Sequence, residues 1–153
     1  MALYSPFKIM VLCALFQAAA AESPSFEVVS GSCTVKGDGC VYSDNFGPGQ
    51  KYSDSQDCVI EQNVPFKLDV TSFDVQDGVQ IGRFHWTCYD FLKVNGVEYC
   101  GANTLWRPNP GPRGVTPTAG SELIWHTDRG VTRAGFKICP VSRQPPHATS
   151  SGI

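Results

Sequence analysis

The chain has 153 residues, a formal charge of -2, 42% hydrophobic and 17% charged residues, with 15 Gly, 11 Pro and 7 Cys. Low charge beside 11% aromatics excludes a disordered polyanion, and a pI near 5.8 without a Lys/Arg run excludes a nucleic-acid binder. So many glycines and prolines, without a heptad or collagen period, predict one all-β domain rich in turns.

Residues 1–21 read as a secretory signal peptide. Lys8 leads into an apolar run from Ile9 to Phe16, too short to span a bilayer comfortably, and small residues at Ala19 and Ala21 suit cleavage before Glu22. No later stretch is apolar enough for a membrane span, so the mature chain is expected outside the cell and not inserted in a membrane. Removing Lys8 and Cys13 leaves 11 basic and 14 acidic residues, a formal charge of -3. It also leaves six cysteines, Cys33, Cys40, Cys58, Cys88, Cys100 and Cys139, an even number suited to three disulfides in an oxidising compartment. Zinc is disfavoured, because no C-x-x-C pair exists and His85, His126 and His147 are not spaced as ligands.

Between residues 22 and 141, short apolar runs alternate with turn residues every eight to twelve positions or so. Phe66, Leu68 and Val70 fall on one face of a strand, as do Leu123, Trp125 and Thr127. Further strands are expected over Tyr89–Val94 and Phe136–Val141, with Trp86 and Trp125 in the core. Asn95-Gly96 is a two-residue hairpin turn before Val97-Glu98-Tyr99. The segment Arg107–Gly120 holds four prolines and must be loop. The tail 142–153 reads as a disordered end. No N-x-S/T sequon occurs, so N-glycosylation is not expected.

Several motifs fall in the order found in one family. Gly39-Cys40-Val41-Tyr42-Ser43-Asp44-Asn45-Phe46, then Tyr52 and Cys58, resembles the G-x-I-x-S-P-N-[YF]-P opening of a CUB domain. Phe73-Asp74, Cys88-Tyr89-Asp90-Phe91-Leu92, Tyr99-Cys100-Gly101 and Thr127-Asp128 leading to Gly135-Phe136 follow in family order. The resemblance runs from Cys33 to about Val141. It implies a jelly-roll-like sandwich of two antiparallel sheets, with Cys33 paired to Cys58 and Cys88 to Cys100. Cys40 and Cys139 would then form an additional bridge that CUB domains generally lack. The departures are Asp44 and Gly47 at the usual prolines, Val59-Ile60 after Cys58, and a short span from Cys88 to Cys100.

Many CUB domains bind calcium, and the resemblance carries two ligand positions onto Asp90 and Asp128. The family's Glu position falls on Gln76, with Asp77 beside it as a substitute, and its supporting Tyr position on Phe46. Calcium is thus the one cofactor the resemblance implies. Residues 22–100 carry 12 acids and 5 bases, and residues 101–153 carry 2 acids and 6 bases. Arg107, Arg113, Arg129 and Arg133 could form an anion-binding edge for sulfated glycans or acidic proteins. The commoner fate of such arginines is solvation or pairing with local acids. Trp106, on the proline-rich loop, is the best aromatic contact, and Trp106, Arg107 and Arg129 are the expected partner-binding residues. No G-x-S-x-G, H-E-x-x-H or phosphate-loop motif nominates catalysis. The expected function is therefore a secreted, non-enzymatic module recognising protein or glycan. An accessory of an extracellular protease and a structural coat or matrix component are the alternatives. The oligomeric state is left open.

Overall fold

The structure is a computed structural model that describes residues 25–81, 85–102, 111–118 and 120–141. Among these the chain is all-β. Eleven strands follow in order: β1 (Phe26–Gly31), β2 (Thr34–Val35), β3 (Val41–Tyr42), β4 (Asp57–Gln62), β5 (Leu68–Asp74), β6 (Val79–Ile81), β7 (His85–Thr87), β8 (Phe91–Val94), β9 (Val97–Tyr99), β10 (Glu122–His126) and β11 (Gly135–Pro140). They build two antiparallel sheets, ordered β1-β4-β10-β8-β9 and β2-β3-β11-β5, and a separate β6-β7 hairpin.

Two-residue alternation explains which faces meet. Leu123 and Trp125 on β10, Cys58 and Ile60 on β4, Leu92 and Val94 on β8 turn inward, as do Phe136 and Ile138 on β11 and Leu68, Val70 and Phe73 on β5. The expected inward faces of Leu68 and Val70, and of Leu123, Trp125 and Thr127, are those observed. At the centre, Trp125 of the first sheet meets Phe136 of the second at 5.2 Å and Tyr52 at 5.1 Å, both nearly edge-to-face. The side chain of Trp86 and the 103–110 part of the proline-rich loop, with Trp106 and Arg107, lie outside what the structure describes, as do the leader and the tail.

Turn chemistry closes the elements where the sequence asks. Asn95 and Gly96 both have positive φ, 51° and 79°, as a type I′ turn between β8 and β9 requires. Asn95 also donates to Thr116 O and accepts from Thr118 N, fastening the 111–118 loop to this hairpin. Gly135, at φ 87°, admits no side chain, since a Cβ would stand 2.0 Å from Ser43 Oγ. That contact lets the β11 backbone hydrogen-bond to Ser43, with Phe136 N donating to its Oγ and Ser43 N to Phe136 O. The strand expected from Tyr89 begins only at Phe91, because Cys88 is tied to Cys100 and the Asp90 carboxylate is turned inward.

Three disulfides join Cys33 to Cys58 and Cys88 to Cys100, the two pairs the resemblance implies, and Cys40 to Cys139, the additional bridge expected of the remaining cysteines. The first crosses from the start of the second sheet to β4, and the second anchors the approach to β3 onto β11. Their sequence separations are 25, 99 and 12 residues. Loop-closure entropy favours the longest, about 5 kcal/mol against about 3 for a loop of about 15 residues. Replacing Cys40 and Cys139 together by Ser should therefore lower the melting temperature more than replacing Cys88 and Cys100 together. Thermal denaturation of both double variants checks the order.

Candidate functional site

At one end of the sandwich four segments converge: residues 43–53 after β3, 74–78 after β5, 88–90 before β8, and 127–134 between β10 and β11. Their junction is a buried carboxylate. Asp90 is 1% exposed. Its Oδ2 accepts the Tyr52 hydroxyl at 2.6 Å and its Oδ1 accepts the Asp128 N–H at 2.7 Å. The Tyr52 oxygen in turn accepts the Gln76 N–H at 2.9 Å. Asp128 Oδ1 accepts the Gly130 N–H at 2.6 Å, a local loop closure typical of Asx residues. Thr127 adds a second seam, its Oγ1 accepting Gln56 N and donating to Ser53 O.

Burial pushes the Asp90 carboxyl above its usual range, against the pull of the Tyr52 and Asp128 donors. Burial and the neighbouring carboxylate together drive the Tyr52 phenol upward, so it stays a donor throughout the working pH range. A carboxyl with a raised folded pKa holds its proton more tightly when folded. Its effect on stability is therefore a loss that sets in as pH rises from about 3.8 through the raised value.

Asp90, Asp128 and Gln76 come together here as the sequence suggests. A Cβ on Gly130 would lie 2.7 Å from Asp128 Oδ1 and 3.4 Å from Gln76 Oε1, so those two oxygens share one small space. Gln76 Oε1 is buried there without a hydrogen-bond partner. Asp77 does not join them: its Oδ1 accepts the Gly78 N–H, and no group of three His, Cys, Asp or Glu suited to a metal occurs among the described residues. Phe46, at the family's tyrosine position, packs on Tyr42 at 5.4 Å instead.

These side-chain oxygens alone fall short of a full calcium shell. Calcium takes six to eight oxygens. Both Asp90 oxygens and one of Asp128 accept protein N–H or O–H groups, and with the second Asp128 oxygen and the neutral Gln76 carbonyl the side chains here offer five oxygens. A carboxamide also carries two donors, so Gln76 can offer an N–H as well as a carbonyl oxygen to this space. A glutamate at this position could meet that carboxylate only through a cation or a proton.

Beside the carboxylates, the 47–51 and 131–134 segments enclose an open groove of about 430 Å³. The Tyr52 N–H donates to Arg133 O at 3.0 Å, and the exposed Lys51 and Arg133 both line the groove. Asp74 lines the floor, its Oδ2 accepting the Ala134 N–H. Arg129 is exposed nearby, whereas Arg113 is turned away to Asp69 and to Val70 O and does not join Arg129 and Arg133; Arg107 lies outside the described residues. The sequence reading missed the groove and the part played by Tyr52. A tyrosine flanked by Lys51 and Ser53 in a Gly/Asp-rich turn was the available signal.

No family model matches the chain, and no curated protein or solved structure matches it either.

Two outcomes follow. Tyr52→Phe, which leaves Asp90 short of a donor, should cost about 1.5–3 kcal/mol near neutral pH. It should cost less near pH 4, where Asp90 holds its proton more fully; urea unfolding at the two pH values measures both. The melting temperature should be the same in millimolar calcium and in chelator, and a rise in calcium that Asp128→Ala abolishes would show that a cation completes the site.

Proposed function

We propose that the chain is a divergent CUB-like module that is secreted and, without being an enzyme, recognises extracellular protein or glycan through this end of the sandwich. The observation that carries the reading is the fastening of four loops to one buried carboxylate, with Arg129, Val131, Arg133 and Lys51 left exposed around it. Binding residues are commonly loop residues held by a rigid scaffold. Three disulfides in so short a chain suit an oxidising compartment, and no described helix is long and apolar enough to cross a membrane. Calcium has no step in this reading.

The test is direct binding of the full secreted protein to panels of extracellular-matrix glycans and secreted proteins. A ligand found this way should bind at least tenfold more weakly to the Arg129→Ala, Val131→Ser double variant, by roughly 1.4 kcal/mol or more. It should bind unchanged to Lys67→Ala, at the other end of β5. Equal affinity for all three proteins would place recognition elsewhere.

A further inference from the structure

We infer that the groove beside the carboxylates is a subsite for a sulfated glycan. The inference rests on the recognition reading above and names its ligand class. Lys51 and Arg133 are exposed and both line the groove, and neither makes an ion pair among the described residues. Three other cations are paired: Lys93 with Glu98, Arg113 with Asp69, and Lys137 with Asp38, whose carboxyl is held at about 2 by Tyr42 and Lys137. Two unpaired cations on one groove suit an anion of several oxygens, such as a sulfate.

The remaining lining separates a glycan from an acidic peptide. Asp74 lines the groove with a carboxylate, which accepts hydroxyl donors. Sugars carry those hydroxyls beside their sulfates, and a run of Asp or Glu does not. Gly47 and Gly49 supply a stretch without side chains on which a flat pyranose can lie, and the exposed Val131 offers an apolar wall to its C–H face. Openness fits an extended polymer passing across the rim.

The position of Gly47 allows a block that leaves charge untouched. Its φ is not left-handed, and a Cβ there meets only Gln50 Cγ at 3.7 Å, so Gly47→Leu is accommodated in the fold while occupying the groove. The experiment is surface plasmon resonance of the full secreted protein on immobilised heparin, fully desulfated heparin and polyglutamate, at physiological ionic strength. Circular dichroism and melting temperature verify that each variant is folded. Heparin should bind, and desulfated heparin and polyglutamate should not. Lys51→Ser and Arg133→Ser should each weaken heparin about tenfold, Gly47→Leu should weaken it at least as much, and Lys67→Ser should leave it unchanged. Absent heparin binding, equal binding of polyglutamate, or folded groove variants with parental affinity would each overturn the inference. Failure here, with another ligand still lost in the Arg129→Ala, Val131→Ser protein, would leave the recognition reading standing; loss of both would remove it.

Discussion

The hydroxyl of Tyr52 joins the core of this protein to its loops. The ring lies edge-on to Trp125 in the middle of the sandwich, and the oxygen reaches Asp90 and the amide of Gln76 at the loop end. A buried carboxylate is costly unless its oxygens are satisfied. Tyr52 and the Asp128 amide provide that satisfaction, so the positions of the 74–78, 88–90 and 127–130 segments follow from one ring packed in the core. The groove inherits its shape from the same residue, because the Tyr52 N–H also holds Arg133 O.

The disulfides support this arrangement from outside the core. Cys88–Cys100 fixes the chain two residues before Asp90, and Cys40–Cys139 holds the approach to β3, from which the 43–53 segment departs. At the same corner Asp38 accepts from the Tyr42 hydroxyl and pairs with Lys137, beneath which Tyr42 packs against Phe46. Phe46 is thereby drawn to the side of the second sheet. The loop end relies on the Tyr52 hydroxyl and on backbone hydrogen-bond donors.

Much of the fold was legible in the residues. Alternation gave the inward faces of β5 and β10, Asn95-Gly96 gave its hairpin, and the cysteine pairs the resemblance implied are those in the structure. Asp90 and Asp128 were legible as neighbours, but what satisfies Asp90 was not. Tyr52 lies 38 residues from Asp90, and nothing local tells a core tyrosine from one whose hydroxyl meets a buried acid. The groove was hidden for a similar reason. Lys51 and Arg133 are unremarkable surface residues until an antiparallel hydrogen bond sets their segments side by side. Conversely, Arg113 looked equivalent to Arg129 and Arg133 in sequence, and its partner Asp69 lies on β5, far off in the chain.

The central claim is that protein donors alone fasten the loop end to the core. Native-state hydrogen exchange in chelator tests it most directly, by following the amides of Gln76 and Asp128 against that of Trp125 on β10. Loop amides in open water exchange with almost no protection, whereas amides released only by global unfolding share its free energy. The account predicts that Gln76 and Asp128 exchange with the slow set that includes Trp125. Exchange of both at unprotected rates, with Trp125 still slow, would contradict it.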